Sequence, residues 1–127
     1  MEWIAVVTGV ALVEYVVFTM RVGRTREKYG VLAPAVSGNE IWERHFRVQQ
    51  NTVEQLVVFL PALWIFGSYA SAPIGAGIGL VFVIGRALYA IGYAADSSKR
   101  STGFLIGYLA NAALLIGGLG GAISRLF

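Results

Sequence analysis

Four long apolar runs, at residues 3–20, 51–69, 74–95 and 103–126, decide most of what this chain can become. Each is about the 20 residues that a helix needs to cross a bilayer. Together they use most of the 127 residues and leave no room for a soluble unit. The expected fold is all-α integral membrane: a four-transmembrane-helix bundle, one domain over residues 1–127. A hydrophobic share of 57%, a charged share of 13% and a mean hydropathy of +0.68 agree with that class. Met1-Glu2 lacks a basic leader and Glu14 interrupts the first run, so that run is expected to be a retained span rather than a signal peptide.

Punctuation residues place the connections. The first helix is expected to continue past the membrane through Arg26. Residues 30–38 (GVLAPAVSG) read as a loop, followed by a helix capped by Ser37 or Asn39. Pro61 is a candidate kink, Ser71-Ala72-Pro73 a tight turn, and residues 96–101 a third loop. Glycines spaced by four, Gly75/Gly79 and Gly117/Gly121, favour close helix packing.

The second feature is where polar residues fall. Arg47, Gln49, Asn51 and Glu54 lead into the second apolar run, and Arg86, Tyr89 and Tyr93 lie inside the third. An ionisable group at hydrocarbon depth costs about 2.5–3.5 kcal/mol on insertion scales, so such groups persist where they face a site or each other. At 100° per residue, Arg47, Asn51 and Glu54 share one helix face, and Arg86, Tyr89 and Tyr93 share another. Arg100 follows Tyr93 by seven and reaches the same end. The competing structural reading makes Glu54 and Arg86 an interhelical ion pair and the tyrosines interfacial belt residues.

Arginines grip carboxylates bidentately, a glutamate suits an ammonium group, and Asn51 and Gln49 can satisfy amides. A small peptide with two carboxylates and one amine fits such a set, and glutathione is the abundant cytoplasmic example. A nearby cation would turn its thiol, with an ordinary pKa near 8.5, into a nucleophilic thiolate. No cysteine is present, which excludes thiolate metal sites and cysteine nucleophiles, and the lone His45 excludes a His-rich metal site.

A net charge of +3 and a pI of 9.5 do not point to nucleic acid, because the positive charge is asymmetric. Arg21, Arg24, Arg26, Lys28, Arg44 and Arg47 lie in or beside the first loop, and Lys99 and Arg100 in the third. The second loop has none. The positive-inside rule then places loops one and three, and the polar stripes with them, on the cytoplasmic side. The cluster near Arg21 and Lys28 also suits anionic membrane lipid.

These residues resemble the MAPEG superfamily, the membrane-associated proteins of eicosanoid and glutathione metabolism. The resemblance is to its microsomal glutathione transferase and leukotriene-C synthase branch. It rests on Glu43-Arg44-x-x-Arg47-x-Gln49-x-Asn51-x-x-Glu54, on Arg86-x-x-Tyr89-x-x-Gly92-Tyr93, and on Lys99-Arg100-x-Thr102-Gly103-Phe104. Pro34-Ala-Val-Ser-Gly38 matches the loop before helix two. The resemblance implies a homotrimer with glutathione, as co-substrate, between subunits. It assigns glutathione contacts to Arg47, Gln49, Asn51, Glu54, Arg86, Tyr89 and Tyr93, with Arg26 supplied by the adjacent subunit, and thiolate stabilisation to catalytic Arg100. No metal is implied.

The expected activity is conjugation of glutathione to a hydrophobic electrophile, with reduction of lipid hydroperoxides as a side activity. The setting would be a bacterial inner membrane or an endoplasmic reticulum, as a multi-pass protein. One departure stands out: this branch often carries Tyr directly after the glutamate of helix two, and this chain has Gln55. The alternatives are a non-enzymatic lipid-binding scaffold of the same fold, and a small proton-coupled multidrug transporter using Glu14.

Overall fold

In a computed structural model, residues 1–96, 98 and 100–127 are described, and Ser97 and Lys99 lie outside them. The third-loop charge expected at Lys99 is therefore outside the described residues. The chain forms α1 (Glu2–Tyr29), α2 (Glu40–Tyr69), α3 (Ala72–Ala95) and α4 (Ser101–Ser124). All four are long and apolar enough to cross a membrane. At about 1.5 Å per residue even the shorter two exceed the roughly 30 Å hydrocarbon core.

The helix ends follow local chemistry. Gly30 closes α1 at φ 71°, a left-handed conformation in which a Cβ would be strained, and its neighbour Val31 N donates to Arg26 O. Asn39, rather than Ser37, caps α2 by accepting from Trp42 N at 3.0 Å. Ser71 caps α3 by accepting from Ile74 N at 3.3 Å. Pro61 lies inside α2, and the helix runs unbroken through it from Glu40 to Tyr69.

α2 and α3 form the shared centre of the bundle, with α1 packed against both and α4 against both. The main core joins Ile4 and Val7 of α1, Phe59 and Leu63 of α2, Phe82 of α3 and Leu114 of α4, all at most 3% exposed. Phe59 and Phe82 stack with ring centroids 3.9 Å apart. Many large apolar residues point outward instead, among them Val13, Val57, Ile84, Ile91 and Ile116. That distribution suits a lipid-facing surface, because lipid tails compete with the core for apolar side chains.

Glycines set the closest approaches. A Cβ on Gly79 would meet Val7 Cγ1 at 2.7 Å, and one on Gly117 would meet the Phe66 ring at 2.6 Å. The tightest contact lies between α3 and α4. A Cβ on Gly103 would run into the backbone N of Tyr89, and one on Gly85 would lie 2.9 Å from Gly107 N. This seam holds the start of α4, and hence Arg100, against the face of α3 that carries Tyr89 and Tyr93.

Candidate functional site

That seam opens into a polar cleft of about 450 Å³. α2 contributes Arg47, Gln50, Asn51 and Glu54 at helical spacing, α3 contributes Tyr89 and Tyr93, and Arg100 completes the wall. Arg47, Glu54 and Arg100 are exposed, Asn51 and Tyr93 half-buried, and Tyr89 buried. The Arg100 guanidinium lies 5.5 Å from the centre of the Tyr93 ring, within cation–π range. Tyr93 in turn packs on Tyr89 at 5.5 Å, and Tyr89 on Phe104 at 6.4 Å. Aromatic contacts thus connect the cation to the start of α4.

The cleft has a polar mouth and an apolar exit. At the mouth, Glu40, Glu43 and Arg44 adjoin Arg47 and Tyr93 around a smaller recess of about 180 Å³. Arg44 is held there by Glu40 at 3.0 Å and by the Ala95 carbonyl at 3.3 Å, which ties α2 to the end of α3. On the other side, Asn51, Tyr89 and Arg100 also line a hollow of about 560 Å³ walled by Ser101, Phe104 and Leu105. The Asn51 Oδ1 atom is buried at this junction without a hydrogen-bond partner. Buried polar atoms in native proteins are normally paired, so an orphaned acceptor beside a cavity fits a site awaiting a donor.

Three residues of the sequence pattern do not line this cleft. Arg86 is only 1% exposed and lies one turn deeper on α3. Its Nη2 donates to Thr52 Oγ1 at 2.8 Å, and its guanidinium sits 4.1 Å from the Tyr89 ring centre. The ion pair with Glu54, which the competing structural reading offered, is not formed; Thr52 is the partner, because it faces inward from α2 while Glu54 faces the cleft. Gln49 points toward α1, where Nε2 donates to Thr19 Oγ1 at 3.3 Å. Arg26 donates to the carbonyls of Val31 and Ala35 at 3.3 and 2.7 Å and covers the Trp42 ring at 4.5 Å. Arg26 and Gln49 therefore engage partners on the α1 side of the subunit.

Gln50 belongs to the cleft and the sequence pattern passed over it. Its signal was available: Gln50 follows Arg47 by three and precedes Glu54 by four, the spacing of one helix face. Thr52 had no such signal, since an isolated threonine in an apolar run looks like any other packing residue. Among the described residues, no group of three or more acidic, histidine or cysteine side chains could hold a metal ion. The cleft instead combines two guanidinium groups, one carboxylate, two amides and two phenols. That set suits a zwitterionic, carboxylate-bearing organic ligand.

Known proteins resemble this chain along most of its length. The sequence model of the MAPEG family matches residues 4–120. An uncharacterized protein of Synechocystis is 48% identical over 117 residues, covering 92% of this chain and 85% of that one. Human microsomal glutathione S-transferase 2 is 45% identical over 111 residues, covering 86% of this chain and 75% of the relative. Leukotriene C4 synthase of Cavia porcellus is 36% identical over 92 residues, covering 72% of this chain and 60% of the synthase. The match spans the helices that build the cleft and both of its guanidinium groups, and the chain belongs to the MAPEG family, on the branch that holds microsomal glutathione S-transferase 2 and leukotriene C4 synthase.

Proposed function

We propose that this chain is a membrane glutathione transferase that joins the glutathione sulfur to hydrophobic electrophiles. The observation that carries the reading is the cleft itself: Arg47, Asn51, Glu54, Tyr89, Tyr93 and Arg100, drawn from separate parts of the chain, converge on one cavity. Relatives named as a glutathione transferase and a leukotriene C4 synthase support the same chemistry.

In this reading Arg47 pairs with a glutathione carboxylate, Glu54 with its ammonium group, and Asn51 and Gln50 with its amides. Arg86 acts from beneath, holding Tyr89 in place. Arg100 stabilises the thiolate, the thiol proton leaving to solvent. The sulfur then attacks the electrophilic carbon; a carbon–sulfur bond forms and the leaving group departs with its electron pair. The hollow walled by Phe104 and Leu105 receives the apolar part of the electrophile. Attack on a hydroperoxide oxygen, completed by a second glutathione, would yield an alcohol, water and oxidised glutathione.

The reading extends to a homotrimer with the cleft open to the cytoplasm. Arg26 and Gln49 lie on the α1 side and away from their own subunit's cleft, a placement that suits contacts to a neighbour's cleft. Eight cationic residues around loops one and three favour their cytoplasmic location.

The test is ultraviolet difference spectroscopy of the purified protein in detergent near neutral pH, with wild type beside Arg100→Ala. A thiolate band on adding glutathione, absent from the variant, is the expected result. No band and no displaceable glutathione in wild type would overturn the reading. Oxidised glutathione formed from glutathione as a lipid hydroperoxide is reduced to its alcohol would establish the second activity, and none would remove it.

A further inference from the structure

Beyond Phe104, the apolar side of the cleft continues down α4. Phe104 stacks on Tyr108 at 6.2 Å, and Tyr108 begins a groove of about 280 Å³ between α2 and α4. Val58, Leu115 and Ile116 make its apolar walls. Two amides interrupt them, Gln55 and Asn111. Asn111 Nδ2 donates to Gln55 Oε1 at 3.2 Å and to the Gln55 backbone carbonyl at 3.4 Å. Both bonds thus use oxygens of Gln55, and Asn111 Oδ1 is buried without a partner. Asn111 is only 5% exposed and sits near the middle of α4.

An interhelical amide bond can be simple glue between membrane helices. Glue does not account for the second half of this pair. Burying a carbonyl-type acceptor with no donor is costly in an apolar setting, and native proteins seldom leave one so. Turning the Asn111 amide round would not cure it, because its oxygen would then face the two Gln55 oxygens. What the groove lacks is a ligand group that donates to Asn111 Oδ1 while accepting from an amide N–H. A neutral hydroxyl does both, and a carbonyl or an ether does not.

We propose that Gln55 and Asn111 form a recognition pair for a hydroxyl group on the apolar tail of the electrophile, far from its reactive carbon. The inference rests on the glutathione reading above and names the substrate class within it: long-chain electrophiles hydroxylated at the distal end. The depth follows from the helix. Asn111 lies about 16 Å along α4 from Arg100, so a hydroxyl close to the reacting carbon cannot reach it. Gln55 succeeds Asn51 by one helical turn on α2, so the polar cleft and the groove share one wall. The reactive head and the hydroxyl are thereby read at opposite ends of one continuous track.

The experiment measures binding of product-like S-alkyl glutathiones to the purified protein by isothermal titration. Four are compared: S-dodecyl, S-(ω-hydroxydodecyl), S-butyl and S-(ω-hydroxybutyl) glutathione. Wild type should bind the hydroxydodecyl compound about tenfold more tightly than the dodecyl one, the size of two ordinary neutral hydrogen bonds. The hydroxybutyl compound should show no such gain over S-butyl glutathione. Asn111→Leu and, separately, Gln55→Leu should bring the dodecyl ratio to one or below, while the hydroxybutyl ratio stays where it is. Two variants on different helices guard against one failing to fold, and helical content with cooperative melting certifies each.

Equal binding of both dodecyl compounds by wild type, or a preference that survives both variants, overturns this inference and leaves the glutathione reading standing. Binding of none of the compounds overturns the glutathione reading and this inference with it.

Discussion

Arg86 and Thr52 meet across 2.8 Å in the buried interior, joining α3 to α2 one turn below the floor of the cleft. A guanidinium needs several acceptors, and here the Thr52 hydroxyl, the Tyr89 side chain and, at longer range, the Glu14 carboxylate supply them, with Nε unpartnered. The bond is therefore more consequential than its single hydroxyl suggests. Thr52→Val keeps the shape and removes the acceptor, and it should lower stability by about 1–3 kcal/mol, since it strands a buried charged donor. Thr52→Ser should recover most of that loss. Thermal unfolding in one detergent reads both, and a Thr52→Val protein as stable as wild type would show that Arg86 finds other support.

The seam between α3 and α4 gives a second prediction. At Gly103 a Cβ would collide with the Tyr89 backbone, which cannot yield as a flexible side chain could. Gly103→Ala should cost about 1–3 kcal/mol by overpacking and should loosen the cleft, because it pushes Arg100 away from Tyr93. Gly120→Ala, with open space around it, is the control and should be neutral or slightly stabilising. Similar melting temperatures for the two variants would contradict the packing described between these helices.

On the proposed glutathione reading, the pH dependence of the thiolate follows from the sign of the Arg100 charge. A cation beside a thiol favours its ionised form, so the thiolate band in wild type should titrate below the ordinary value near 8.5. Arg100→Ala should move that midpoint upward by about one to three units, and Arg100→Lys should fall between. Activity at neutral pH would drop with the thiolate fraction and recover as pH rises in the alanine variant. A midpoint that does not move would place the stabilising charge elsewhere, with Arg47 the remaining guanidinium in the cleft.

The architecture was legible because the membrane leaves few choices: four apolar runs of spanning length give four helices, and Gly30, Asn39 and Ser71 mark their ends by backbone chemistry. The lining of the cleft was legible where its residues repeat at helical spacing, as Arg47, Asn51 and Glu54 do. Spacing fails for partners that meet across helices. Nothing in the sequence says that Arg86 turns inward to Thr52 rather than outward to Glu54, since both lie on α2 two residues apart and only the rotation of α2 against α3 decides. The Gln55–Asn111 pair is invisible for the same reason, its members being far apart in the chain and each plain on its own. Gln49 illustrates the converse, a residue on the pattern whose direction about α2 takes it to Thr19 instead.

The direction of Arg26 and Gln49 leads to a prediction about assembly. If each cleft takes Arg100 from one subunit and Arg26 from its neighbour, two inactive forms should repair each other. Arg26→Ala and Arg100→Ala homotrimers should each lose most glutathione conjugation, the former through binding, by about tenfold for a lost charge-assisted contact. In mixed trimers, a subunit carrying Arg26→Ala still offers its own Arg100, and a neighbour carrying Arg100→Ala still offers its own Arg26. A cleft between those two is intact. Co-expression with two different affinity tags, followed by tandem purification, isolates the mixed species. Activity there well above either parent is the expected outcome. If Arg26 served only the loop of its own subunit, through the Val31 and Ala35 carbonyls it now holds, every cleft in a mixed trimer would lack Arg100 or a properly held loop, and no activity would return.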